Sequence, residues 1–255
     1  MGGQFAEDTD LQAETATGRK RARKSDAVYQ DLKRKILTGE FNSESPITEQ
    51  SLAQDYNCSQ GTVREALMLL QEFGLVVRRG YQGTFVTDPS IVEAMLMLKL
   101  RIDIETTGVT EAAQNITPRQ LEELKDLDRQ FEECRLRRDV FGCAEVDRNL
   151  HLKLFKIAQM QTLEPVLIRT TMVLQRVMLP TPRSEAAWQR RNVTPHQAIL
   201  EALEQGDVQN AKDAVKAHIL SSAVVLAPHF YGRDLEQLQK NYEKEPAQLV
   251  ALAGL

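Results

Sequence analysis

Cys58-Ser59-Gln60-Gly61-Thr62-Val63-Arg64-Glu65-Ala66-Leu67 is the stretch on which the reading of this chain turns. Ser59 suits an N-cap, because its hydroxyl can accept from a backbone N–H that a helix start leaves unpaired. Behind it, Val63, Leu67 and Leu70 recur at helical spacing and make one apolar stripe. The spacing predicts a short helix that closes at Phe73-Gly74, with polar and charged groups in its first two turns and aliphatic residues behind them.

Working outward, Ile47-Thr48-Glu49-Gln50-Ser51-Leu52 predicts a preceding helix. Thr48 is its N-cap, Glu49 favours the positive end of the dipole, and Ile47 can staple onto Leu52. It ends near Tyr56-Asn57. Val28, Leu32 and Ile36 predict a first helix from about Ser25 to Thr38, with Gly39 as its left-handed stop. Downstream, Leu75 to Arg79 and Thr84 to Thr87 read as two strands joined by Gly80-Tyr81-Gln82-Gly83.

Three helices and a hairpin in this order imply a winged helix-turn-helix, which sets the start of its third helix in the major groove of duplex DNA. The candidate DNA contacts are Ser59, Gln60, Thr62 and Arg64 on that helix, Gln50 on the helix before it, and Arg79 with Gly80 at the wing. The short hydroxyls suit phosphate oxygens or base edges. Arg64 can fork onto guanine or phosphate, and Gln60 matches adenine. Each has a plainer alternative: a cap for Ser59, an ion pair with a nearby acid such as Glu65 or Glu72 for Arg64, a solvated side chain for Gln60.

Net charge is −4, which by itself speaks against a nucleic-acid binder. The distribution matters more than the sum. Arg19, Lys20, Arg21, Arg23 and Lys24 form a basic arm, and residues 19–88 carry 11 basic against 9 acidic side chains. No apolar run approaches the length of a membrane helix, and the N-terminus has no apolar signal core. Three cysteines without close ligand spacing fit a reducing, cytoplasmic compartment.

With 255 residues the chain has room for two domains. The expected organisation is a disordered basic arm over 1–25, the winged helix-turn-helix over 26–88, a helical domain over 89–229 and a tail over 230–255. Helices are expected near 91–114, 118–138, 140–159, 163–179, 186–204 and 208–227, the first broken near Thr106-Thr107-Gly108. Thr117-Pro118, Thr194-Pro195 and Gly206-Asp207 read as boundaries, and Pro228 as a stop. The fold class is mainly α: a winged helix-turn-helix followed by an all-α antiparallel bundle.

Four histidines occur in the chain, and three share a pattern. Asp147 and His151 lie four apart, on one face of one helix. His196 shares its helix face with Ile199 and Leu203, and His218 shares its own with Ala211, Ala214 and Val215. Three helices thus each send an imidazole inward. Three imidazoles and a carboxylate suit a divalent ion: Zn²⁺ first, with Ni²⁺ or Mn²⁺ as alternatives. The same four side chains could equally form a buried hydrogen-bond network without metal. His229, beyond Pro228, reads as surface.

Residues Val28 to Thr87 resemble the GntR-type winged-helix domain. The resemblance is carried by Val28-Tyr29, Ile36-Leu37, Gly39, Leu52-Ala53, Thr62-Val63-Arg64-Glu65-Ala66-Leu67, Leu70, Gly74-Leu75-Val76 and the Gly80 to Val86 hairpin. Gln60 stands where that family usually has arginine, and Gln50 where some members use arginine to read DNA, which implies an operator that departs from the usual G-containing half-site. Residues from about Ile91 to Ala227 resemble the FCD ligand-binding domain of the FadR subfamily, with a helix count like its VanR-type branch. Here the carriers are Leu100-Arg101, Glu105, Ala112-Ala113, Asp147 to His151, His196-Gln197-Ala198-Ile199-Leu200, Gly206-Asp207 and His218-Ile219.

The second resemblance implies that Asp147, His151, His196 and His218 are metal ligands. It also implies a small organic acid as effector. Arg101 is placed to receive its carboxylate, the plainer alternative being a surface pair with Glu105. Arg176 and Asn192 are further cavity candidates. Together the two resemblances imply a ligand-responsive transcription regulator, a repressor more often than an activator. It would bind an inverted-repeat operator as a homodimer. The rival reading is a metal-dependent, hydrolase-like enzyme with a DNA-binding appendage, against which stands the lack of a general base, nucleophile motif or phosphate loop.

Overall fold

A computed structural model of the chain describes residues 24–44, 46–180 and 196–223. It divides into two compact units at the Asp88/Pro89 junction. In the first unit, residues 24–37 form α1, whose Val28, Leu32 and Ile36 are buried at the predicted spacing. Gly39 ends it with φ +83°, a left-handed conformation that costs glycine little. A two-residue strand β1 (Pro46–Ile47) precedes α2 (Glu49–Asp55), which Thr48 caps by accepting from the Ser51 N–H. Helix α3 (Gln60–Glu72) is capped by Ser59, which accepts from the Thr62 N–H, and it buries Val63, Ala66, Leu67 and Leu70. The wing is β2 (Val76–Arg78) and β3 (Thr84–Val86).

Strand β3 lies between β1 and β2 in an antiparallel sheet, with Ile47 opposite Thr84 and Val76 opposite Val86. Two residues of β1 carry too little alternation to be read as a strand from sequence. Its pairing is supplied by the exposed edge of β3. The wing tip, Gly80–Gln82, is a single 3-10 turn closed by the Arg79 N–H donating to the Gly83 carbonyl at 2.9 Å.

The second unit is helical throughout its described residues. It comprises α4 (Ile91–Asn115), α5 (Pro118–Leu136), α6 (Val140–Ile157), α7 (Glu164–Met178), α8 (His196–Gln205) and α9 (Val208–Ala223). Capping boxes at Ser90/Glu93 and Thr117/Gln120 start α4 and α5, and Asp139 caps α6 by accepting from the Gly142 N–H. Helix α4 packs against α6, α7 and α9, and α5 packs against α6 and α8.

The break expected near Thr106-Thr107-Gly108 does not occur, since α4 runs unbroken to Asn115. Gly108 instead makes room for a neighbour: a Cβ there would lie 2.8 Å from Cδ2 of the Phe155 ring on α6. The glycine is a close-packing site, not a hinge. The basic arm before Lys24, Asn192, Thr194-Pro195, the 186–195 part of the expected helix, Pro228, His229 and the tail lie outside the described residues.

Candidate nucleic-acid interface and metal centre

The face of α3 that the sequence singles out is open. Ser59, Gln60 and Arg64 are exposed, as are Gln50 on α2 and Arg79 and Gly80 at the wing. Thr62 is a correction. It is only 3% exposed, and its Oγ1 shares a 2.9 Å hydrogen bond with Ser59 Oγ. That hydroxyl is engaged at the helix start and is not open to solvent. Arg64 is 55% exposed and is ion-paired with an acid, as its plainer reading expected, though that acid is Glu49 and not Glu65 or Glu72. Its Nε and Nη2 fork onto Glu49, with Nη2 to Oε2 at 2.6 Å.

Arg78 Nη2 donates to the other oxygen of Glu49 at 2.9 Å. Glu49 therefore sits between two arginines from different elements, and their charge holds its carboxyl below the usual range, Arg64's hydrogen bond foremost. Arg79 lies over the Phe85 ring, 5.0 Å from its centroid, which steadies the base of the wing. Neither Glu49's bridging role nor Arg78's part in it was legible in the sequence, where Glu49 reads as a helix-dipole residue.

In the helical unit, Asp147, His151, His196 and His218 come together, with one potential ligand atom from each lying within 4.8 Å of the others. The three imidazoles converge through Nε2 on a single oxygen, Asp147 Oδ1: His218 at 2.8 Å, His196 at 3.2 Å and His151 at 3.8 Å. The histidines are buried, 1–2% exposed. Packing explains the convergence. Helix α6 supplies Asp147 and His151 one turn apart, α8 carries His196, and α9 brings His218 back against α4.

Outer groups surround these four. His151 Nδ1 is in close contact with Glu105 Oε2, and His196 Nδ1 is 2.9 Å from Asp128 Oδ1. Arg101 Nε donates to Glu105 Oε1 at 2.6 Å, and Arg101 Nη2 lies 3.7 Å from Asp147 Oδ2. The Arg101–Glu105 pair is thus interior, with 2% and 4% exposure, and not the surface pair its plainer reading supposed. Arg101 Nη2 is buried with no hydrogen-bond partner among the described residues. Arg176 lies in the last turn of α7.

Electrostatics follow from this packing. Burial alone would raise the carboxyls of Asp147 and Glu105. Hydrogen bonds from His196 and His218 hold Asp147 well below its usual range, and the charges of His151 and Arg101 bring Glu105 to about 2. For His196, burial favours the neutral ring, but hydrogen bonds to Asp128 and Asp147 outweigh it and push it up to about 9. Burial dominates at His218, which is lowered. Once metal binding deprotonates the rings, Asp128, Asp147 and Glu105 against Arg101 leave two uncancelled negative charges, a donor set that fits a divalent cation; without metal, protonated His196 offsets one of them. Glu105 and Asp128 have no ligand spacing in the sequence. Asp128 is 68 residues from His196, and no local pattern connects them.

Comparison with known proteins agrees with this division. The gntR family of bacterial regulatory proteins matches residues 24–86, and the FCD domain matches residues 96–221. The HTH-type transcriptional repressor RspR of Escherichia coli (strain K12) is 29% identical over 134 residues, 52% of this chain. The chain thereby spans 59% of that protein's length. The HTH-type transcriptional regulator LutR of Bacillus subtilis (strain 168) is 25% identical over 208 residues, covering 71% of this chain and 90% of LutR. Among solved structures, E. coli McbR/YncC has a TM-score of 0.61 at 20% identity, over 86% of this chain and 98% of that one, which shows a shared fold.

Proposed function

The chain belongs to the GntR family of bacterial regulatory proteins and carries an FCD domain, and from that premise we propose that it is a metal-dependent, metabolite-responsive repressor. It binds an inverted-repeat operator as a homodimer, because two-fold protein symmetry imposes near-palindromic DNA. Gln50, Ser59, Gln60, Arg64, Arg79 and Gly80 face that DNA. A divalent ion, Zn²⁺ first with Ni²⁺ or Mn²⁺ as alternatives, is held by Asp147, His151, His196 and His218. When bound, the ion acts as a Lewis acid that attracts an oxygen ligand.

The observation that carries the metal reading is the meeting of three Nε2 atoms at Asp147 Oδ1 in a buried setting. The effector is a small carboxylic acid. Its charge meets Arg101 Nη2, a buried donor without a hydrogen-bond partner among the described residues. Control of DNA binding then requires that the acid bind the DNA-competent and incompetent states with different affinity. The enzyme reading is set aside, because the matched family and the relatives named above are transcriptional regulators.

The test is a thermal-shift screen of metals crossed with small carboxylic acids on protein stripped of metal without a histidine tag. A cation at a hundred times its Kd should stabilise by about 2.7 kcal/mol. For a unit of this size that corresponds to a rise of about 5–11 °C in Tm. A productive acid should add to that rise only in the presence of metal and should release the protein from operator DNA. No shift with any divalent ion would leave the four side chains as a hydrogen-bond network alone.

A further inference from the structure

Building on the metal centre proposed above, we infer that Asp128 is a positioning residue for it: the α5 carboxylate holds His196 through Nδ1 and so turns Nε2 toward the cation. Asp128 Oδ1 lies 2.9 Å from His196 Nδ1. A carboxylate can only accept, so Nδ1 carries a proton toward Asp128. By the same rule Nε2, 3.2 Å from Asp147 Oδ1, carries one in the metal-free ring; a cation at that point displaces the Nε2 proton and takes its lone pair, while the Nδ1–H stays on Asp128. The ring has little freedom otherwise. It is 1% exposed, with the Phe131 ring edge-on at 4.8 Å and the His218 ring at 4.5 Å between centroids.

Asp128 contributes no atom to the four-residue donor set. Through it α5, which supplies no ligand, acts on the centre. Glu105 holds His151 in the corresponding way, but it also binds Arg101, so changing Glu105 alters a ligand and the effector arginine together. Among the described residues Asp128 has no such second ionic partner. It tunes one ligand without touching the other functions of the site.

The experiment measures Zn²⁺ affinity by chelator competition and the visible spectrum of bound Co²⁺, on the full chain. Wild type, Asp128→Asn and Asp128→Glu are compared. The Asn variant should bind Zn²⁺ about 10- to 100-fold more weakly, with a shifted Co²⁺ band. The Glu variant, which keeps the carboxylate but displaces it by one methylene, should recover part of the affinity. Should the Asn variant not fold, a shifted Co²⁺ band and a smaller affinity loss in the Glu variant carry the assignment.

A merely structural Asp128 would lower the stability of the metal-free protein while leaving Zn²⁺ affinity and the Co²⁺ band as in wild type, and that result overturns the proposal. Wild-type protein that takes up no metal would overturn the metal centre itself and this assignment with it. Metal uptake by wild type with an indifferent Asp128 overturns the assignment alone.

Discussion

Arg64 shows how one side chain can be both predicted and misjudged. Its exposure near the start of α3 follows from helical spacing, but its partner Glu49 is 15 residues away, on α2. Glu49 holds the guanidinium in one direction and also tethers Arg78. Exposed ion pairs contribute little to stability, so the value of this one lies in orientation. Glu49→Gln removes a negative charge beside the DNA face and frees both arginines. Binding to random duplex should strengthen, because phosphate contacts are electrostatic. Affinity for the selected operator should rise less or fall, so the ratio of specific to random binding drops. Fluorescence anisotropy against both duplexes at several salt concentrations measures it. An unchanged ratio would reduce Glu49 to a simple repulsive charge.

At the scale of elements, the chain is most legible where a local signal starts or stops a helix. Thr48, Ser59 and Thr117 all cap the helices they precede, because a cap acts within three residues. One element was missed and one reading failed where the deciding contact was distant. Strand β1 exists because β3 offers it an edge, and α4 stays straight through Gly108 because Phe155 fills the space a side chain would take. Gly108→Ala tests the second point. Alanine in a helix interior gains about 0.5–1 kcal/mol over glycine. Overpacking against a buried ring costs about 1–3 kcal/mol, so the net effect should be a loss. The Tm should fall, and Phe155→Leu should recover part of it in the double variant. A rise in Tm for Gly108→Ala alone would show that the ring can move aside at no cost.

For the whole molecule, the two compact units predict separable defects. Arg64→Ala should weaken operator binding roughly 5- to 150-fold, the range for losing one base-reading arginine, with metal content unchanged. His196→Ala should lower metal occupancy and leave DNA affinity without effector near wild type. Gel shift and elemental analysis on both variants check this, and a variant that loses both properties would contradict the separation. The amino-acid sequence by itself determined the two-part plan, the capped third helix and the four inward positions of Asp147, His151, His196 and His218. Each of these rests on caps, periodicities and motifs that act over a few residues of chain. Tertiary structure decided the rest: Glu49 between two arginines, Thr62 turned inward, the buried Arg101–Glu105 pair, and Asp128 against His196. These depend on which helix packs against which. Burial makes such partnerships necessary, since a charge removed from water must find its counterpart wherever the fold brings one.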